Sequence, residues 1–314
     1  MMKKKIIIVA GPTASGKTSL GIEIAKAVGG EIISADSMQV YKNMPIATAC
    51  PTDFEKAQVR HHLVEFLDRT DSFSVAAWCD LARRKIDEIA ARSKIPVIVG
   101  GTGLFIDSLA DNILFEDTKV DYELRDRLMQ RDCDSLYEEL IKLDPASAQT
   151  IHKKNKKRVV RALELYYSGV SKTQQNINSR REESPYDALY FVLDYADRQI
   201  LYDRINARVD KMVEQGLIQE AKDNLKKTSA TCAQAIGHKE LMPYLNGECT
   251  LDDALDHLKQ KTRNYAKRQI TWFKKRSCAM FLRPDVMGFD ETVKTAVAYC
   301  EDFINGKFQK GKSK

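Results

Sequence analysis

Two hydrophobic periodicities alternate over the first 110 residues. Short apolar runs occupy residues 6–10 (IIIVA), 31–35 (EIISA) and 95–99 (IPVIV). Runs this short and this apolar predict strands buried on both faces. Between the second and third runs, residues 74–92 place Val75, Trp78, Cys79, Ala82, Ile86 and Ile89 at helical spacing. Leu20, Ile24 and Ala27 do the same after the first run. This β-α-β-α order predicts an α/β fold with a parallel sheet flanked by helices.

From 119 to 183 the texture changes. Residues 121–128 (DYELRDRL), 136–141 (LYEELI) and 158–166 (RVVRALELY) keep helical periodicity and carry no strand signal. They predict an all-helical insertion over 119–183, dividing a core of 1–118 and 184–305. Residues 187–193 (DALYFVL) predict a return to the sheet. A charged helix over 198–215 and a basic helix over 251–276 follow. The Lys- and Gly-rich tail, 306–314, is expected to be disordered.

The first run leads directly into Gly11, Pro12, Thr13, Ala14, Ser15, Gly16, Lys17 and Thr18. This octet fits G-x-x-x-x-G-K-[ST] between a strand and a helix, the context that makes the pattern a phosphate cradle. Its backbone N–H groups would face one anion at a helix N-terminus, Lys17 would add charge, and Thr18 would hold Mg²⁺. The sheet is therefore expected to be P-loop NTPase-like. Ligands in such sheets sit beyond the carboxyl ends of the strands. Three such ends carry residues 11–18, Asp36 with Ser37, and Gly100 to Thr102. Asp36 suits a general base or a helix cap at that place. No acid follows the run at 95–99, unlike the metal-holding Asp of many P-loop ATPases, which argues against ATP hydrolysis.

Composition narrows the class. The chain has 314 residues, 43% hydrophobic and 30% charged, enough for a large core and about two domains. Seven cysteines form no C-x-x-C pair, which suggests reduced thiols and a cytoplasmic setting. The start resembles a signal peptide, but its apolar run is too short, and no stretch is long enough for a membrane span. Adjacent His61 and His62 diverge on either a strand or a helix, which disfavours a metal pair.

Net charge is only +6, but its distribution is uneven. Residues 151–161 hold six Lys/Arg and residues 259–276 hold eight, with no acid in either. Solvated helix faces and a polyanion site both fit that pattern. On a helical wheel Lys261, Arg268 and Lys275 share a stripe beside Tyr265 and Trp272, while Ala266, Ile270 and Phe273 form an apolar stripe. That arrangement suits a helix packed on one side and contacting nucleic acid on the other, or one whose aromatics are simply core.

Taken together, the chain resembles the tRNA dimethylallyltransferase (tRNA isopentenyltransferase) family from about residue 5 to 276. Eight blocks carry the resemblance: GPTASGKT (11–18), SADSMQVY (34–41), HHL (61–63), PVIVGGTGLF (96–105), RVVRALE (158–164), RINARVDKM (204–212), QAIGHKE (234–240) and TRNYAKRQITWF (262–273). The resemblance implies transfer of a dimethylallyl group from dimethylallyl diphosphate to N6 of the adenosine 3′ of the anticodon (position 37), in tRNAs reading codons that begin with U. Diphosphate leaves, Mg²⁺ assists and ATP is not consumed. A monomer, with the tRNA anticodon stem-loop as partner, is expected.

By the same resemblance Asp36 is the general base, and Lys17, Thr18 and Arg208 stabilise the leaving diphosphate. Contacts to tRNA would come from Asp36, Ser37, Met38, Gln39 and Thr102 in the core, and from Arg125, Lys157, Arg158 and Arg161 in the insertion. The later blocks would add Gln234, Gly237, His238 and Lys239, then Lys267, Arg268, Gln269, Trp272 and Lys274. Arg125 could instead brace the insertion. Three positions depart from the family pattern: His238 and Phe105 stand where Tyr is usual, and Asn155 where Asp is common. The zinc-finger extension of eukaryotic relatives is absent, so no zinc is expected. Rival readings are an adenylate isopentenyltransferase, a small-molecule P-loop kinase and a non-catalytic RNA-binding protein.

Overall fold

The computed structural model describes residues 3–115, 121–179, 182–224, 228–229 and 231–308. The chain divides into two compact units: Met1–Ala110 with Pro185–Lys314, and Asp111–Ser184. Residues 309–314 of the expected basic tail lie outside the described residues.

The larger unit opens with β1 (Lys4–Ala10), α1 (Lys17–Ala27), β2 (Glu31–Ser34), α2 (Asp53–Gln58) and β3 (His61–His62). Then come α3 (Val75–Ala91), β4 (Pro96–Gly100) and α4 (Gly103–Ala110). The helical unit holds α5 (Tyr122–Gln130), α6 (Cys133–Leu143), α7 (Pro145–Thr150), α8 (Lys156–Tyr167) and α9 (Lys172–Asn178). The chain returns to the first unit through β5 (Tyr186–Leu193), α10 (Arg198–Glu214), α11 (Leu217–Asp223), α12 (His238–Leu245) and α13 (Leu251–Phe273). It closes with β6 (Met280–Leu282), α14 (Pro284–Met287) and α15 (Phe289–Ile304).

The six strands form one parallel sheet in the order β3-β2-β4-β1-β5-β6. Ile6 to Ala10 are fully buried, as a strand covered by helices on both faces requires. On one face Leu20 and Ile24 of α1 and Ala296, Cys300 and Phe303 of α15 pack against Ile7, Val9 and Phe191. On the other, Trp78 of α3 is fully buried, and its indole donates to the Ser34 carbonyl at 3.0 Å. Phe105 stacks on Trp78 with centroids 4.9 Å apart. An apolar ring suits that setting because there is no hydroxyl to satisfy.

The run at 95–99 is thus the fourth strand in sequence, because His61 and His62 form a short edge strand ahead of it. His62 is buried against Glu31 at 2.7 Å. Among the described residues no group of three or more His, Cys, Asp and Glu could hold a metal, and no helix is long and apolar enough to cross a membrane. All seven cysteines are free thiols.

The helical unit has its own core, built on Leu128, Leu136, Leu140, Val159, Val160 and Leu163. Glu164 is buried beneath it and accepts from Arg125, with Nη2 to Oε2 at 2.9 Å, and from Arg161 at 3.1 Å. Asn155 caps α8 by accepting from the Arg158 N–H, so its amide oxygen does there what a carboxylate would.

Candidate active site

Strands β1, β2 and β4 end side by side and deliver the three segments from which the site is built. The first is the loop between β1 and α1. Gly11 and Gly16 have φ of 147° and 96°, and Ala14 has φ of 62°. Left-handed backbone is natural for glycine and costs an alanine about 1 kcal/mol. The loop is held in that shape from outside. Arg204 Nε donates to the Ala14 carbonyl at 2.9 Å, and the Tyr195 hydroxyl donates to the Ser15 carbonyl at 3.2 Å. The Arg204 guanidinium lies 5.9 Å from the Tyr195 ring centroid. Gln269 on α13 adds a third brace: its Oε1 accepts from Thr13 N–H at 2.8 Å and its Nε2 donates to the Gly101 carbonyl at 2.9 Å.

The second segment carries Asp36. Its Oδ1 accepts from Met38 N–H at 2.8 Å and from Gln39 N–H at 3.3 Å. One oxygen therefore fixes the turn, and both roles open to a strand-end aspartate, cap and base, are compatible in one side chain. The Ser37 N–H donates to Thr102 Oγ1 at 3.0 Å, tying this turn to the third segment. Gln39 also points inward, accepting from Ser34 Oγ and donating to the Ala49 carbonyl.

Two cavities meet here. One, of about 80 Å³, is bounded by Lys17, Thr18, Ser34, Asp36 and Gly100. The other, of about 170 Å³, is lined largely by apolar side chains, among them Met38, Ile205, Val209, Met212 and Leu258. Thr13, Asp36, Thr48, Arg208 and Tyr265 border both. Lys17 Nζ donates to the Pro12 carbonyl at 2.5 Å, and Arg208 Nη1 lies 3.4 Å from Thr13 Oγ1. Burial, then Arg208, pushes the Lys17 pKa down to about 7, and Asp36 offsets only part of this. Burial also lowers that of Arg208, against the pull of Asp36 and Glu55. Neither cation has a salt bridge among the described residues. Two half-buried basic side chains without a carboxylate partner, beside a glycine loop at a helix N-terminus, suit an anion. Tyr265 is held well above the usual phenol range by burial and by Asp36, so it stays a neutral hydroxyl.

A family model described as IPP transferase matches residues 39–276. The chain belongs to the IPP transferase family. A "tRNA dimethylallyltransferase" of Acetivibrio thermocellus is 44% identical over 299 residues, covering 92% of this chain and 94% of the relative. One from Bacillus subtilis is 45% identical over 278 residues, with 87% and 88% covered. The crystal structure of a tRNA isopentenylpyrophosphate transferase from Bacillus halodurans superposes with a TM-score of 0.71 at 40% identity, covering 97% of both chains. A eukaryotic dimethylallyltransferase described as acting on tRNA gives a TM-score of 0.83 at 31% identity, covering 98% of this chain and 81% of that one.

Within this IPP transferase the other sequence-selected residues fall into three settings. Lys157 and Arg158 are exposed on α8 of the helical unit, where Arg125 and Arg161 also bond Glu164. Gln234 and Lys239 are exposed, Gly237 is buried, and His238 Nε2 donates to Glu220 Oε1 at 2.9 Å. Glu220 in turn accepts from Ile46 and Ala47 N–H at 2.8 and 2.9 Å, so His238 is tied to a wall of the apolar cavity. On α13, Lys267 and Arg268 are exposed, as is Lys274 at its C-cap, and Ala266, Ile270 and Phe273 are buried. Two further residues of α13 turn inward. Tyr265, which the helical wheel left open between core and contact face, lines both cavities, and Gln269 is buried between two loops, because α13 packs directly over the strand ends. Arg204 and Tyr195 escaped sequence reasoning altogether. Arg204 lay in the RINARVDKM block as a hint, whereas a tyrosine after β5 carries no pattern of its own.

Proposed function

We propose that this IPP transferase family member transfers a dimethylallyl group from dimethylallyl diphosphate to a tRNA, at N6 of the adenosine 3′ of the anticodon. The observation that carries this reading is the pair of half-buried basic side chains, Lys17 and Arg208, at the junction of a phosphate-loop cavity with an apolar cavity, with Asp36 on the border. The apolar side suits a hydrocarbon chain and the cationic side its diphosphate.

The amine lone pair forms a new C–N bond to the allylic carbon while the C–O bond to diphosphate breaks and its electron pair leaves with oxygen. Adenine N6 is a weak nucleophile because its lone pair is delocalised into the ring, so its proton must leave as it attacks. Asp36, with Oδ1 committed to the turn, has Oδ2 to accept that proton. Lys17, Arg208 and the loop N–H groups meet the charge that grows on diphosphate. Thr18 lines the same cavity as Asp36, an arrangement that fits Mg²⁺ held by few protein oxygens and by phosphate. Such an ion, when bound, neutralises part of the diphosphate charge.

The test is transfer of radiolabel from dimethylallyl diphosphate with Mg²⁺ and without ATP, offering unmodified tRNA and free AMP in parallel. Label is expected in tRNA alone. Asp36→Asn should lose roughly 100–10,000-fold in kcat while binding inorganic diphosphate as the parent does. Label in AMP assigns the chain to nucleotide prenylation instead, and a requirement for ATP would return the small-molecule kinase.

A further inference from the structure

Trp272 combines two properties that rarely meet in one side chain. It is 38% exposed, yet its indole is fixed on the inner side. Nε1 donates to Asp107 Oδ2 at 2.7 Å. Asp107 Oδ1 is in turn 3.4 Å from Arg276 Nε, so the carboxylate is held as well. The indole also lies directly on the backbone of α4. A Cβ added at Gly103 would sit 2.3 Å from its Cδ1, an impossible contact. Gly103 and Asp107 are one helical turn apart and share a face of α4. One gives the ring room and the other takes its only polar hydrogen.

The outer side of the ring is thereby freed of any hydrogen-bonding need. Exposed Arg268 lies one helical turn before Trp272 on α13, and exposed Lys275 follows in the turn just past the helix end. The segment around it, residues 259–276, has eight basic residues and no acid. A rigid aromatic face inside a cationic field matches an unpaired nucleic-acid base flanked by phosphates.

We infer that Trp272 is a stacking platform for an unpaired base of the RNA substrate, and that Asp107 is its positioning residue. This rests on the tRNA reading above but assigns a mode of contact that the reading does not require. Asp107 does not touch RNA; it sets the plane of the ring.

The chain has two tryptophans, and Trp78 is fully buried. Acrylamide quenching of the parent protein therefore reports Trp272. Adding an unmodified anticodon stem-loop RNA should protect the emission from acrylamide. Trp272→Leu should weaken RNA binding roughly tenfold or more, with Trp272→Phe recovering much of the loss. Asp107→Ala should raise acrylamide access and weaken RNA binding, whereas Asp107→Asn, which keeps an acceptor for Nε1, should restore both. Inorganic diphosphate should bind all these variants equally. An indole as accessible in the RNA complex as in the free protein overturns the inference, whatever the variants do. RNA binding of parental strength by folded Trp272→Leu does the same. Failure of the parent to bind the stem-loop at all would bring down the tRNA reading with it; binding without any response of Trp272 would remove the stacking platform alone.

Discussion

Lys17 has a pKa of about 7 because burial and the neighbouring Arg208 both disfavour its charge. A diphosphate at the loop supplies the missing counter-charge and favours the ammonium form. The sign follows from the two pKa values. With no anion bound, the lysine gives up its proton as pH rises through about 7; with diphosphate bound it keeps it. Diphosphate affinity should therefore be level below neutrality on this account and fall as pH rises above it. Calorimetric titration of inorganic diphosphate in buffers of different ionisation enthalpy reads the proton uptake. Diphosphate titrates in the same region, so the decisive quantity is the difference from Lys17→Arg, which remains charged throughout. Equal uptake by parent and variant would show that Lys17 is already an ammonium. The same shift works on folding. A lysine whose native pKa lies below its ordinary 10.5 makes stability rise with pH between about 7 and 10.5, where only the unfolded chain holds the proton.

Among the elements, the sheet edge offers the sharpest test. Glu31 at the start of β2 is buried, and it accepts from His62 on β3 at 2.7 Å, from Arg92 at 2.7 Å and from Lys94 at 3.0 Å. Burial alone would raise its pKa, but these donors together bring it down to about 2. Its contribution is complete above the ordinary value of 4.5 and is lost as pH falls from there through about 2. Glu31→Gln should lower stability by about 2 kcal/mol near neutrality, less than a fully buried pair because Arg92 and Lys94 are half-exposed. Urea unfolding checks it, and the gap between parent and variant should close in acid. A gap that stays constant with pH would mean that packing, not charge, is what the variant disturbs. The same edge shows where patterning stops being informative. Strands β1, β2, β4 and β5 were legible because each is an apolar run facing helices on both sides. Strand β3 consists of two histidines, held by the hydrogen bond of His62 to Glu31 and by pairing with β2, and β6 has three residues. Neither is long enough to show a period. Asp36, Lys17 and Thr18 were legible because a strand end or a glycine loop fixes their place. Gln269 was visible as a residue but not in its setting, and Tyr265 stayed open between core and contact face, because only the packing of α13 over the strand ends turns them inward.

Across the whole molecule the decisive quantity is where the charge sits, not its total. Net charge is +6, too small to hold a polyanion by itself, yet residues 151–161 belong to the helical unit and 259–276 to the larger one. A tRNA engaging both segments should release counterions at both, by roughly 0.7–0.9 of a counterion per phosphate neutralised. The logarithm of Kd for tRNA should then climb steeply with the logarithm of salt concentration. Lys157→Glu with Arg158→Glu, and separately Arg268→Glu with Lys275→Glu, should each flatten that slope by about 1–2. If one RNA contacts both segments, each pair weakens binding in its own right, and joining them gives losses that add to within about 0.5 kcal/mol, as for independent contacts. If a single segment carries the RNA, one pair leaves Kd and slope where they were. Diphosphate binding should not respond to either pair, because the exposed faces concerned lie outside both cavities. A slope that neither pair changes would mean that the RNA is held by other cations, and that these two segments are solvated helix faces.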